Sequence, residues 1–232
     1  VTCAQGDAAE MRAYFMKEGD LKQMRKSAEK RYAAFAQKLD MNSDFPQHLT
    51  AAFDGLYTMA YFGEDLRPYW NKDGKSSIED LYAEKDYKEV MAKCYAFDRQ
   101  LMADAYLAGG KEYAELCALA YRQSVSAFQM SEDSDGELLY FTPQVGPVDE
   151  YYPASPLYLR YNPDLVKAML NPFFYYSESG KWGKPFPPHD LGGYPIVNGQ
   201  TIGGDMPVEE AGNGLIMTAA IAKMEKNASY AE

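Results

Sequence analysis

Cysteine, histidine and positive charge are all scarce in this sequence, and each scarcity removes a class of function. Among 232 residues only Cys3, Cys94 and Cys117 are cysteines, and only His48 and His189 are histidines. The cysteines lie far apart and form no C-x-x-C pair or Cys/His cluster, so neither a zinc motif nor a dithiol redox motif is supported. Cys94 and Cys117 fall on the apolar faces of two successive expected helices and read as small packed hydrophobes. Lys and Arg number 23 against 34 Asp and Glu, a formal net charge of −11. A field of that sign repels phosphate backbones and anionic lipid, which argues against nucleic-acid and membrane-surface partners. No apolar run approaches the ~20 residues that a bilayer span needs, so no membrane insertion is expected. G-x-S-x-G, Walker and dinucleotide fingerprints are missing as well. There is no signal peptide, yet the chain opens on Val1. The expectation is a removed upstream segment or a piece of a longer protein.

What is present is an ordinary globular composition, 47% hydrophobic and 25% charged, with enough length for one large domain or two small ones. The 20 tyrosines and 11 phenylalanines suit broad packed surfaces or a sugar-like cleft, core filling being the commoner role.

Residues 20–40 carry Leu21, Met24, Ala28, Tyr32, Phe35 and Leu39 at three- and four-residue steps, which predicts a helix with Asp20 as its N-cap. Ser27 and Lys30 inside it match S-x-x-K, but no S-D-N or K-T-G follows, so the match reads as chance. A shorter helix is expected over 47–62, then an irregular aromatic linker, and a capping box at Ser76 and Glu79. Stripes from Tyr87 to Ala105 and from Tyr113 to Phe128, separated by Gly109 and Gly110, predict an αα-hairpin. ELLYF reads as a short strand or extended arm, and TPQVGPVDEYYPASP as a Pro-rich loop carrying Asp149 and Glu150. Asn162 and Pro163 open a further helix, which Pro172 should kink and Gly180 ends.

The chain is organised around residues 181–213, KWGKPFPPHDLGGYPIVNGQTIGGDMPVEEAGN. So long a stretch without regular structure is usually functional or disordered. Trp182, Phe186, Leu191, Tyr194, Ile196, Val197 and Ile202 give it a packing core of its own, which favours a built, site-forming loop. It runs into a helix starting at Pro207 whose three faces all turn apolar after the first turn, which predicts burial all round. Gly212 and Gly214 there suggest a close neighbour. Glu209 and Asn213 share a face, with Glu210 rotated away. With Asp149, His189 and Asp190 these glutamates form an acid-rich set delivered by three segments, which suits acid/base hydrolysis. Carboxylates with carbonyls also suit a calcium ion, and no other cofactor or metal is implied. Complementing the helix dipole would equally explain one of the first-turn carboxylates, though not why the helix is otherwise so apolar.

HDLGGYPIVNGQTIGGDMPVEEAGN followed by LIMTAAIAK resembles the central signature of the glutaminase A family and its six-hairpin, glycosidase-like domain. LCALAYRQS, VDEYYPASPLYLRYNPDL and YSESGKWGKPFPPHDLG support it, over roughly residues 60–232, while LRPYW at 66–70 resembles a join to a β-rich N-terminal domain. The resemblance implies a mainly α fold, a partial (α/α) toroid of antiparallel hairpins, secreted or periplasmic. It implies 1–75 as a helical lead-in and linker from a missing β domain, and 76–232 as the N-terminal part of the helical domain. Its partners would be a small-molecule substrate, glutamine or a glycan, and the N-terminal β domain and remaining helices of the parent chain. His189, Asp190, Glu209, Glu210 and Asn213 fall on the family's HDLG and MPVEE-GN motifs, Asp149 on V-D-x-x-Y-P, and Arg122 on A-Y-R-Q. Gly214 departs from the larger residue often found there. The expectation is that Asp190, Glu209 and Glu210 supply proton transfer, with Arg122, Asp149, Trp182, His189, Tyr194 and Asn213 binding substrate. The activity implied is hydrolysis of the glutamine amide, the alternatives being glycoside hydrolysis or a non-catalytic packing or ligand-binding module.

Overall fold

A computed structural model describes residues 2–6, 8–19, 32–36, 42, 55–77, 80 and 87–232. The chain divides into two units, Val1–Ala51 and Ala52–Glu232. In the first, β1 (Thr2–Gly6) pairs antiparallel with β2 (Tyr32–Ala36), Cys3 opposite Phe35, and α1 (Ala8–Glu18) lies between them in sequence. The helix expected over 20–40 therefore fails at 32–36, because ladder bonds to β1 take the backbone groups that helical bonds would use. The rest of that expectation, with Ser27 and Lys30, lies outside the described residues.

The second unit opens on a small sheet. β3 (Met59–Tyr61) is flanked by β4 (Glu64–Leu66), antiparallel, and by the two-residue β7 (Ile196–Val197), parallel. Ala60 N–H donates to Pro195 O at 2.9 Å and Phe62 N–H to Val197 O at 2.8 Å, so the sheet fastens the long loop. The helix expected over 47–62 is thus corrected at Met59–Tyr61, since the loop supplies a strand partner that local periodicity cannot reveal; 47–54 lie outside the described residues. So does Glu79 of the expected capping box.

α2 (Tyr87–Ala127) is two helices broken at Gly110, whose φ of 82° and ψ of −168° are not helical. Phe97 and Tyr121 rings lie 4.9 Å apart. In a continuous helix 24 residues span about 36 Å, so the halves fold back as a hairpin. Only Leu101, Ala105 and Ala114 are buried along it, and Cys94 is exposed rather than packed. β5 (Gln129–Glu132) and β6 (Leu138–Phe141) form a hairpin, which fixes ELLYF as a strand.

The expected Pro-rich loop is instead largely a helix, α3 (Val148–Tyr161), which contains Pro153 and Pro156. A proline deprives the carbonyl four residues back of its donor. At Tyr152 that gap is filled by Ser155 Oγ, which donates to Tyr152 O at 2.8 Å. α4 (Pro163–Glu178) starts at Pro163 as expected and is followed by Gly180 with φ 79°. α5 (Pro207–Glu225) packs against α3 and α4.

The core joins these pieces: Phe141, Val145, Val148, Tyr151, Val166, Met169, Leu170, Leu191, Val197 and Ile221 are all fully buried. α5 is not buried all round. Glu210, Gly214, Met217 and Ile221 form its one buried stripe, while Val208 and Leu215 are 86% and 72% exposed. Its neighbours α3 and α4 cover one side only, and overall hydrophobicity does not specify how many sides find a partner. Gly214 does meet a close neighbour, Phe173, whereas Gly212 faces open space.

Candidate functional site

The site is set by where the 189–202 loop is pinned. Val145 and Leu191 run alongside each other: Leu191 N–H donates to Val145 O at 2.8 Å and Val145 N–H to Gly192 O at 2.9 Å. Gly146, with φ 86°, lets the two backbones approach; a Cβ there would sit 2.1 Å from Leu191 Cδ1. The loop is thereby held against the start of α3, and α5 arrives at the same place.

Asp190 is fully buried at the centre of the loop. Its Oδ1 accepts from Gln144 Nε2 (2.8 Å), Gly192 N–H (2.9 Å), Thr201 N–H (2.9 Å) and Thr201 Oγ1 (3.0 Å). Its Oδ2 accepts from Ile202 N–H (3.0 Å) and faces His189 Nδ1 at 3.2 Å. Burial pushes the carboxyl upward, but the Thr201 and Ile202 donors, with His189, outweigh it and hold the group below the usual carboxylate range. Asp190, expected as a proton-transfer group, is in this arrangement an anchor whose charged form is favoured and whose lone pairs are taken. An ionised carboxylate only accepts, so His189 Nδ1 carries the proton of this contact, and Nε2 is the ring nitrogen left for other partners.

Glu210 is equally buried and differently supplied. Its Oε2 accepts from Val148 N–H at 3.1 Å, so it caps the first turn of α3, where Pro147 offers no side-chain cap. Its Oε1 is buried with no hydrogen-bond partner. Burial, then the charge of Asp149, pushes the carboxyl up to about 7, against the opposing pull of His189 and of the Val148 and Asp149 N–H groups. Asp149, half-buried in the first turn of α3, completes a cluster in which one ligating atom each from Asp149, His189 and Glu210 lie within 4.8 Å of one another. Asp149 gives the cluster its opening to solvent.

The remaining expected site residues are dispersed. Glu209 is exposed and outside the cluster, and Asn213 is half-buried one turn along α5. Trp182 is half-buried; its Nε1 donates to Phe186 O, and it lines a cleft of about 450 Å³ with Tyr176, Asn198, Gln200 and Thr201. Tyr194 is 47% exposed. Arg122 is exposed and lines a separate groove with Asp98 and Val125. Sequence reasoning missed Gln144, Thr201 and the Val148 N–H, which donate to the two buried acids. No local pattern marks them.

Chemically, the cluster offers an imidazole nitrogen, a buried carboxyl with a free oxygen and a second carboxylate at the solvent edge. That set can take a proton from water, return one to a leaving group, or hold a cation.

Residues 110–232 match the family described as the glutaminase A six helical-hairpin domain. Residues 1–104 match a domain of unknown function, DUF5127. The junction falls beside the backbone break at Gly110. Glutaminase A from Aspergillus oryzae is 31% identical over 153 residues, which cover 62% of this chain and 22% of that relative. A protein named Probable glutaminase from Arthroderma benhamiae is 33% identical over 167 residues, covering 67% of this chain and 19% of that relative. The chain thus spans about a fifth of the length of these curated relatives. No solved structure matches it. With a mainly helical fold and a match over 110–232, the chain belongs to the glutaminase A family through its six helical-hairpin domain.

Proposed function

We propose that the parent protein hydrolyses the side-chain amide of glutamine, with the attacking water activated in the Asp149–His189–Glu210 cluster. The observation carrying this is Glu210: a buried carboxyl with one oxygen unpartnered, beside a second acid and an oriented histidine, in a chain whose relatives are named glutaminases. Water adds to the amide carbon, its proton passes through the cluster to the departing nitrogen, the C–N bond breaks, and glutamate and ammonia leave. His189 suits the role because Asp190 fixes its ring and tautomer.

The test is ammonia release from glutamine by the full-length parent, run beside a glycan panel. Turnover of glutamine, lost in Glu210→Gln, supports the reading. Turnover of glycans alone would replace the amide with a glycosidic bond, and the short separation of the Asp149 and Glu210 oxygens would then point to a retaining pair rather than the wider inverting spacing. Inactivity on both would favour a non-catalytic module.

A further inference from the structure

We propose that Asp149, His189 and Glu210 form a binding site for one divalent cation of the zinc class. The inference rests on the reading of this cluster as the functional site, but not on glutamine being its substrate. Two independent features carry it. The first is geometric: the three side chains come from the first turn of α3, the long loop and the first turn of α5, and their ligating atoms converge within 4.8 Å. The second is the unsatisfied Glu210 Oε1, fully buried although its carboxylate partner atom is already bonded to Val148 N–H. A buried oxygen left without a donor is costly, and a bound cation would remove that cost.

The surroundings fit a metal better than a proton donor from a second side chain. Metal-binding histidines commonly hand their other ring nitrogen to a carboxylate that fixes orientation. Asp190 does this for His189 Nδ1, and is itself locked by Gln144, Gly192, Thr201 and Ile202. Two carboxylates and an imidazole, which is neutral when it ligates, sum to a charge that one divalent ion neutralises. An imidazole in the set favours zinc-like ions over calcium or magnesium, which take oxygen donors. Three protein ligands leave a fourth position open, as in hydrolytic zinc sites, and half-buried Asp149 leaves a way in. Ligands about 2.0–2.2 Å from an ion stand about 3.3–3.6 Å apart, so the cluster must close by about an ångström on binding.

The experiment is equilibrium dialysis of the chelator-stripped chain against Zn²⁺, with Ca²⁺ as a parallel arm and metal content read by elemental analysis. One Zn²⁺ per chain is expected, together with a visible Co²⁺ spectrum of low coordination number. His189→Ala and Glu210→Gln should weaken binding by at least about 100-fold, the upper end of what loss of a mere orienting partner costs, while Glu209→Gln leaves it unchanged. Folding of each variant is followed by circular dichroism, and if Glu210→Gln does not fold, half-buried Asp149→Asn decides. Absence of Zn²⁺ binding, preference for Ca²⁺, or binding that survives these substitutions overturns the site. Zinc bound without glutamine turnover in the parent removes the amidase reading alone. Turnover that persists without any bound metal removes only the cation.

Discussion

Among the described residues two carboxylates lie equally out of reach of water, Asp190 and Glu210, both 0% exposed, and they end in opposite states. Asp190 sits in a loop that turns its N–H groups inward, so every lone pair is matched and the charge is held. Glu210 sits at the join of two helices, with one oxygen on the Val148 N–H and the other on nothing. Burial alone therefore does not fix the state of a carboxylate. Donor supply decides between them: a saturated acid holds its charge, while a starved one beside a like charge keeps a proton available near neutral pH.

The largest expected effect follows from that contrast. Glu210→Gln in the full-length parent should lower glutamine turnover by about 10²–10⁴. It should do so with no loss of melting temperature at pH 8, since the amide removes a charge that the fold accommodates poorly. Turnover within a few fold of the original would erase the functional half of the contrast.

Asp190→Asn should do the reverse and act on the fold. An amide brings an NH₂ against donors that need an acceptor, leaving buried N–H groups unmet, at about 3–5 kcal/mol. In a protein of this size that lowers the melting temperature by roughly 10 °C or more. Because the folded carboxyl is held below its usual range, the stability it contributes is present above the unfolded carboxylate range. It is lost as pH falls through the folded value. A variant that melts normally would mean that the loop is held by its backbone alone.

The pH dependence of stability sharpens the comparison further. Glu210 is raised from 4.5 to about 7, so between those values the folded chain binds one proton more than the unfolded chain. Stability then falls as pH rises, by on the order of 3 kcal/mol in all, and levels off above about 7. Urea melts of the chain at pH 5 and pH 8, in the presence of a chelator, measure this. Glu210→Gln should flatten the difference, and an equally steep dependence in that variant would assign it to another group.

Much of the helical layout was legible because its signals are local. Gly109 and Gly110 mark the hairpin break, and Pro163 and Pro207 open helices where they stand. The strands at 32–36 and 59–61 were not legible, since their partners lie at 2–6 and at 64–66 and 196–197, and periodicity carries no news of a remote edge. α3 hid behind Pro153 and Pro156, whose cost depends on a serine hydroxyl finding one carbonyl. At the site, the acidic set and its three delivering segments could be read from residue types. Which acid is well supplied with donors and which is starved could not, because Gln144, Thr201 and the Val148 N–H reach the two acids from elsewhere in the chain.

The smallest expected effect belongs to Glu209, adjacent in sequence to Glu210 and opposite to it in environment. Its side chain is exposed in the first turn of α5, where a negative charge interacts favourably with the helix dipole. Glu209→Gln should therefore cost about 0.3–1 kcal/mol at low ionic strength, less in added salt, because water screens an exposed charge. Turnover in the parent should stay within a factor of about two or three, since nothing links the exposed carboxylate to His189 or Asp149. Melting temperature at two salt concentrations, with turnover recorded on the same preparations, checks both parts. A loss as large as that of Glu210→Gln would mean that position at the helix start, rather than burial without donors, is what the function requires.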